Sequence, residues 1–382
     1  MGLSRRQKWS LTICFGLVCV GLVLYSRVVN SSPPPPQASV KLLPLIDEDP
    51  ASAQRPLSEV VENLRSLPPD EATQTYDNSI RSRVRHRQFA DLDRFAAELR
   101  KSKARFPGGE WMLYHTYERM SEPAAGRDAP DTDWDAHLKI IEEWMKAFPE
   151  SMTARVTYAD TLTNYAWKAR GGGWSKDVTE KGWSLFEERN QKALEVLMDT
   201  KGTPARCPQW YYLMERIALA QGWRRVDFDR IFDEAVVVEP LYTAVYSQKA
   251  DYLLPRWYGK PGEWQRFIDE VANRVGGEEG DALFYRVFAK FAEYTDDFNE
   301  IKTTVHHFWP RLQRGYRSTE TLYKTSPDTM NEYGRLAWIA DDRNEARAVF
   351  TKIGEDWSDS EWNDREQFER ARRWAFTTDP GT

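Results

Sequence analysis

Several short blocks of the sequence combine tryptophan with glycine or proline, and most of them add arginine or lysine. They read RFPGGEW (105–111), NYAWKARGGGW (164–174), CPQWYY (207–212), QGWRR (221–225) and LLPRWYGKPGEW (253–264). Tryptophan and arginine are the residue types that dominate binding hot spots. The candidate contacts of a binding site are therefore Trp111, Trp167, Arg170, Trp174, Trp210, Arg256, Trp257 and Trp264.

These blocks also have a purely structural interpretation. Gly171, Gly172 and Gly173 follow Lys168 and Arg170, a pattern typical of a helix end, where glycine adopts the left-handed conformation and cations suit the helix dipole. Arg256 and Trp257 would form a cation–π pair that pins an insertion against the helices. On this interpretation the tryptophans belong to the core and the blocks form no groove.

No familiar catalytic or cofactor-binding signature accompanies the blocks. The sequence lacks a P-loop, a dinucleotide fingerprint, a zinc-protease helix and a nucleophile elbow. His306 and His307 are adjacent, and on a helix they would point about 100° apart, so they do not share one metal. We predict no catalytic residue, no metal and no cofactor, although these absences do not exclude an enzyme.

Carboxylates near the aromatic blocks leave a carbohydrate-binding or carbohydrate-hydrolysing protein as the alternative. Glu110, Asp251 and Glu263 are the nearest acids. Hydrolysis of a glycosidic bond needs two carboxylates about 5–10 Å apart, with the sugar stacked on aromatic rings. This alternative predicts a deep acidic pocket ringed by tryptophan, whereas a scaffold predicts a shallow groove with few perturbed acids.

Helical periodicity runs through the chain from about residue 80, and no run of alternating strands interrupts it. Apolar residues recur three and four positions apart, which places them on one face of a helix. These stripes are Phe89/Leu92/Phe95/Ala96/Leu99, Trp134/Leu138/Ile141/Met145/Phe148, Phe228/Ile231/Phe232/Ala235, Phe284/Val287/Phe288/Phe291 and Ala346/Val349/Phe350/Ile353. The pattern predicts an all-α fold.

The helices resemble repeats. Pro149, Pro208, Pro240 and Pro327 each stand before a helix, and ten residues beyond each is an alanine: Ala159, Ala218, Ala250 and Ala337. Proline is tolerated at a helix start, and a small residue lets a neighbouring helix approach closely. We predict a degenerate tetratricopeptide-like α-solenoid of helical hairpins, with an α/α toroid as the alternative.

The amino terminus predicts a membrane anchor. Arg5, Arg6 and Lys8 precede an uncharged apolar run from Trp9 to Tyr25, and no small-residue cleavage pattern follows. The positive-inside rule then leaves residues 1–8 as a cytoplasmic tail. We predict a transmembrane signal anchor over 9–29, a proline-rich tether over 30–79 and a helical-repeat domain over 80–378; a cleaved signal peptide is the alternative.

The charge of the chain limits the classes of partner that we expect, and its cysteine content limits disulfide formation. Of 53 basic and 59 acidic side chains, four basic ones precede position 31, so the exported part carries about −10 and is not expected to bind nucleic acid. The full chain has a mean hydropathy of −0.68, which excludes a polytopic membrane protein. Cys207 is the only cysteine outside the apolar segment, so no disulfide forms there and we expect Cys207 to be buried.

The blocks AWKARGGGWSKDVT, CPQWYY and LPRWYGKPGEW, in this order, resemble the bacterial domain of unknown function 4034 family. The resemblance covers about residues 85–355. It implies a helical fold and a bacterial origin, which would make the exported side the periplasm, and it carries no catalytic residue over to this chain. We predict an inner-membrane protein whose periplasmic body is a non-catalytic scaffold or binding module for a protein or peptide, with a glycan as a further possible ligand.

Overall fold

The computed structural model of the protein describes residues 59, 61–62, 69–173, 175–200, 207–292 and 297–377. Within this part of the chain, residues 69–377 form 15 α-helices and no β-strand, so the all-α prediction is confirmed. The helices are α1 (Pro69–Arg85), α2 (Phe89–Ser102), α3 (Met112–Ser121), α4 (Asp131–Ala147), α5 (Met152–Arg170), α6 (Glu180–Asp199), α7 (Pro208–Ala220), α8 (Arg225–Val238), α9 (Thr243–Tyr252), α10 (Glu263–Val275), α11 (Gly277–Phe291), α12 (Phe298–Tyr323), α13 (Pro327–Ile339), α14 (Arg343–Ile353) and α15 (Arg365–Phe376).

The predicted apolar stripes form the core. All stripe residues of α2, α11 and α14 are buried, and those of α8 are buried or half-buried. The exception is Phe148, which is 37% exposed. It lies just beyond α4, because that helix ends at Ala147 and Phe148 forms its C-cap. The periodicity therefore predicts which face of each helix is buried, but it does not predict burial beyond the last residue of a helix.

The central helices form two rows. In the inner row, which consists of α3, α5, α7, α9 and α11, each helix packs against the next one. In the outer row, which consists of α4, α6, α8, α10 and α12, the helices α6, α8 and α10 each pack against the inner helices before and after them, whereas α4 packs against α5 and α12 packs against α11. Within the described residues, the outer helices make no comparable contacts with one another. The inner helices therefore lie closer to one another than the outer helices do, and we call the surface that the inner row presents the concave side.

The prolines of the predicted repeats lie at or just before the starts of helices, and the alanines lie within those helices. Pro208 and Pro327 are the first residues of α7 and α13, and Pro149 and Pro240 lie in the turns before α5 and α9. The four alanines are completely buried: Ala159, Ala218, Ala250 and Ala337. A larger side chain at these positions would push neighbouring helices apart.

The predicted cytoplasmic tail and transmembrane segment (1–29) and most of the tether (30–79) lie outside the described residues. The first described helix, α1, begins at Pro69, within the range predicted for the tether. None of the helices in the described ranges is both long and apolar enough to span a membrane. Cys207 is buried against the Tyr117 hydroxyl.

A buried histidine in α4 makes stability depend on pH. His137 Nε2 is bonded to the Met120 carbonyl oxygen (2.9 Å), and burial lowers the pKa of His137 to about 4. The unfolded chain binds this proton near pH 6.5, so the folded state is favoured fully above pH 6.5 and progressively less as the pH falls towards 4. Between pH 7.5 and 4.5 we expect the wild type to lose about 2–3 kcal/mol more unfolding free energy than His137→Gln. Equal losses in urea titrations of the two proteins would contradict this assignment.

Candidate functional site

Three of the six predicted tryptophans lie in the core. Trp111, Trp210 and Trp264 are buried. Trp210 Nε1 donates to the Leu197 carbonyl oxygen (3.2 Å), and Trp264 packs on Phe288, with ring centroids 5.5 Å apart. Trp174 lies outside the described residues. The rings of Trp111, Trp210 and Trp264 therefore belong to the core and not to the accessible surface.

Two of the predicted blocks meet in an arginine–tryptophan cluster formed by Trp167, Arg170, Trp183 and Trp257. The rings of Trp167 and Trp257 meet edge to face, with centroids 6.0 Å apart. The Arg170 guanidinium carbon lies 5.5–5.9 Å from the centroids of the three tryptophan rings. Arg170 Nη1 also donates to the carbonyl oxygens of Gly171 (3.1 Å) and Gly173 (3.2 Å). The cluster thus fixes the end of α5 against the loop after α9.

Arg256 forms the cation–π contact predicted from the sequence, because its guanidinium carbon lies 5.8 Å from the Trp257 ring centroid, and it also reaches α9. Its Nη2 donates to Asp251 Oδ1 (3.1 Å), and its side chain is 12% exposed. Burial raises the pKa of Asp251, and the positive charges of Arg256 and Lys290 oppose this shift. The candidate residue Arg256 therefore holds Asp251 in place at the end of an inner helix.

The loop between α2 and α3, residues 103–111, reaches across to distant helices. The Arg105 guanidinium carbon lies 3.6 Å from the Trp111 ring centroid, and Trp111 Nε1 donates to the Leu241 carbonyl oxygen (2.8 Å). Gly108 N donates to the Lys324 carbonyl oxygen (2.9 Å). Gly109 has a φ of 82°, and a Cβ there would lie 2.6 Å from the Tyr323 ring. This loop closes the concave side at the end where α3, α9 and α13 begin.

Beyond this loop, the inner helices carry further polar side chains, and Arg286 links the two regions because it donates to the Gly109 carbonyl oxygen and to the Thr243 hydroxyl (3.1 Å). Tyr114 and Glu118 come from α3, and Tyr212 and Arg216 come from α7. The Tyr114 and Tyr212 hydroxyl oxygens lie 3.4 Å apart, and their rings meet edge to face. We call the following set the inner polar face: Tyr114, Glu118, Asp160, Asn164, Tyr212, Arg216, Asp251, Arg286 and Lys290.

Glu118 is a fixed anion of this face. Its Oε1 accepts from the Tyr114 hydroxyl (3.1 Å) and from Arg127 Nη2 (2.9 Å). Burial alone would raise the pKa of Glu118, but Arg119 and Arg127 outweigh it and lower the pKa to about 2. Glu118 therefore remains ionised at any physiological pH and is not suited to act as a general acid.

Asp160 is a buried member of the inner polar face and holds Arg216 in place. Asp160 is 2% exposed and accepts from Arg216 Nη1 (3.0 Å) and Gln209 Nε2 (3.2 Å). Arg216 also donates to Asn164 Oδ1 (3.0 Å). Burial raises the pKa of Asp160 to about 6, although Arg216 opposes the shift. The carboxylate is buried and lies out of reach of a ligand, so its role is to orient the arginine.

Lys290 is the exposed cation of the inner polar face. The surrounding protein displaces water from its ammonium group and so lowers the pKa of Lys290, whereas the negative charges of Asp251 on α9 and Glu118 on α3 raise this pKa. These influences place Lys290 within electrostatic range of side chains from two other inner helices. In the described part of the chain, no carboxylate oxygen lies within 4.0 Å of its ammonium group. Lys290 is thus available to an anionic group of a ligand.

Asp251 is the only member of the inner polar face among the candidate residues that the sequence indicated. A signal was present, however, because Tyr114/Glu118, Asp160/Asn164, Tyr212/Arg216 and Arg286/Lys290 are pairs spaced four residues apart. Residues at this spacing lie on the same face of a helix. The pairs recur on four of the five inner helices, and such recurrence on the same row distinguishes them from ordinary solvated faces.

Part of the chain matches a known protein family. Residues 77–211 match the model of the family described as Domain of unknown function (DUF4034), so the predicted resemblance is confirmed over these residues. The match runs from α1 into α7 and includes the first two tryptophan blocks. No curated protein matches the sequence.

Proposed function

We propose that this protein is a membrane-tethered binding module that holds a short charged segment of a partner protein on the concave side of its inner row. The observation that carries the proposal is the inner polar face, to which five consecutive inner helices each contribute charged or tyrosine side chains. Alternating cations, anions and tyrosines suit an extended peptide, whose side chains and backbone offer both charges and hydrogen-bonding groups.

We infer that the two rows are a degenerate tetratricopeptide-like α-solenoid. Successive inner helices pack on each other, and buried alanines lie on α5, α7 and α9 at one offset from each preceding proline. Solenoids of this kind expose an extended concave surface. The apolar segment 9–29 would anchor the chain in the inner membrane, and the tether would place the binding face on the periplasmic side.

The held carboxylates favour binding over catalysis. Glu118 has a pKa of about 2, Asp160 is buried beneath Arg216, and Asp251 is paired with Arg256. General acid catalysis needs a carboxyl group that touches the substrate and is protonated near neutral pH. Glu118 stays ionised and Asp160 is buried, so neither has both properties, and the Asp251 carboxylate is held by Arg256.

The substitution Lys290→Glu tests the proposal. It replaces the exposed cation of the inner polar face by an anion, so it repels the acidic group that we expect the partner to place there. The full chain, purified in detergent, serves as bait for an envelope extract. We expect the retained partner to fall at least tenfold relative to the wild type, measured by quantitative mass spectrometry.

Lys139→Glu is the matched control, because Lys139 is an exposed lysine on the outer helix α4. This variant has the same charge change and should retain the partner fully. Equal retention by Lys290→Glu and Lys139→Glu would contradict binding on the concave side.

A carbohydrate ligand is the second candidate, because carboxyl groups with shifted pKa values, Glu118 and Asp251, lie on the inner polar face together with tyrosines. The aromatic rings of this face are those of Tyr114 and Tyr212, which meet edge to face, and not the tryptophans of the sequence prediction. If envelope glycans alone are retained, and Lys290→Glu retains them as the wild type does, the carbohydrate candidate replaces the peptide. Release of free sugar by the wild type and not by Asp251→Asn would further make the protein a hydrolase.

A further inference from the structure

A histidine and several carboxylates meet where α1 packs against α3, beside the inner polar face. Asp77 comes from α1, Glu110 from the loop before α3, and His115 and Glu118 from α3 itself. His115 Nε2 lies 2.6 Å from Asp77 Oδ1, and its Nδ1 lies 3.6 Å from Glu110 Oε1. His115 and Glu118 are three residues apart, so both project from one face of the helix.

We propose that Glu110, His115 and Glu118 bind one divalent transition-metal ion of the Zn²⁺ type. Each residue offers one ligand atom, and the three atoms lie within 4.8 Å of one another. A tetrahedral zinc ion with bonds of about 2.1 Å places its ligands about 3.4 Å apart. Small rotations of the two carboxylates are enough to reach that separation.

Asp77 supplies the support that a metal-binding histidine requires. Such a histidine usually donates its second ring N–H to a carboxylate, which fixes the tautomer and aims the other nitrogen at the metal. The 2.6 Å contact between His115 Nε2 and Asp77 Oδ1 has this arrangement. Without a metal, a proton occupies Nδ1; burial alone would lower the pKa of His115, but Glu110 and Asp77 raise it to about 10. A bound metal ion would displace that proton into solvent.

The donor set and its surroundings select the class of metal. One imidazole nitrogen with two carboxylate oxygens suits Zn²⁺ or Co²⁺ better than Mg²⁺ or Ca²⁺, which prefer oxygen ligands alone. Glu118 Oε1 already accepts from Tyr114 and Arg127, whereas Oε2 lies 3.6 Å from Arg119 Nη2 and is the oxygen that we assign to the metal. Three protein ligands leave a fourth position open, as in zinc sites that bind water or a ligand group.

Titration of the metal-free full chain with Zn²⁺ by calorimetry, and with Co²⁺ by visible absorption, tests this site. We expect one ion per chain and the absorption bands of tetrahedral Co²⁺. His115→Ala should weaken Zn²⁺ binding at least 100-fold. Asp77→Asn keeps the shape of the supporting group and should weaken binding 10- to 100-fold. Glu118→Gln, a variant of nearly the same shape, keeps the test valid if His115→Ala does not fold.

The matched control is the double variant His306→Ala/His307→Ala, which removes the two exposed adjacent histidines of α12. It should bind Zn²⁺ as the wild type does. Absence of Zn²⁺ and Co²⁺ binding by the wild type would overturn the proposal. Unchanged binding by folded His115→Ala or Glu118→Gln would also overturn it, because the ion would then sit on adventitious surface ligands.

Discussion

Replacing Trp111 by alanine is expected to lower the free energy of unfolding by about 3–5 kcal/mol, the usual cost of deleting a buried large aromatic ring. Trp111 is 2% exposed and lies between the Arg105 guanidinium and the Tyr242 ring, whose centroid is 5.0 Å away. Its Nε1 donates to the Leu241 carbonyl oxygen (2.8 Å). The ring therefore attaches the loop 103–111 to the turn before α9, and its loss should release that loop as well as leave a cavity.

The substitution Trp111→Phe separates the packing of the ring from its hydrogen bond. It keeps most of the buried area but removes the donor to Leu241, so we expect a smaller loss of about 1–2 kcal/mol. Urea unfolding followed by circular dichroism measures both variants. A loss below 1 kcal/mol for Trp111→Ala would show that the loop does not close the concave side as described.

Adding a single methyl group at Gly259 is expected to destabilise the protein by about 3 kcal/mol or more, at the upper end for overpacking. A Cβ at this position would lie 1.8 Å from the Leu253 carbonyl oxygen, which is a backbone atom and cannot rotate away. Gly259 N also donates to the Leu254 carbonyl oxygen (3.2 Å). The loop after α9 would have to open, and with it the contact between Trp257 and Trp167 and the bond between Arg256 and Asp251.

Gly172→Ala is the matched control for Gly259→Ala. A Cβ at Gly172 meets no atom within 4 Å, so the free energy of unfolding should change by no more than about 0.5 kcal/mol. Tryptophan fluorescence of Gly259→Ala in the native state should also shift to longer wavelength as the arginine–tryptophan cluster opens. Similar stabilities for the two variants would be inconsistent with the close approach of the chain at Gly259.

The helical fold followed from short-range patterns. Leu92 and Leu99, or Val349 and Ile353, are buried because their spacing puts them on one side of a helix, and this needs no knowledge of the partner helix. Pro208 and Pro327 mark helix starts for an equally local reason, since proline needs no hydrogen-bond acceptor in the first turn.

The candidate site could not be predicted from local sequence patterns, because it depends on contacts between helices that are distant in the sequence. Trp111 and Trp210 are of a residue type that dominates binding hot spots, but their indole N–H groups donate to backbone carbonyl oxygens inside the structure. Tyr212 and Arg216 look like the solvated face of an isolated helix. They become a candidate site only because α7 lies beside α3 and α5, which brings Tyr114 and Asn164 within reach.

Site-specific photo-crosslinking in the native membrane tests the concave binding face most directly. A benzophenone amino acid, which extends the phenyl ring by a benzoyl group, replaces Tyr212 on the inner polar face. In a second full-length chain it replaces Val237, which is 84% exposed on the outer helix α8. We predict that irradiation joins a partner polypeptide to the chain from position 212 and not from position 237. Adducts from position 237 alone, or equal adducts from both, would contradict the proposal that the inner polar face is the binding site.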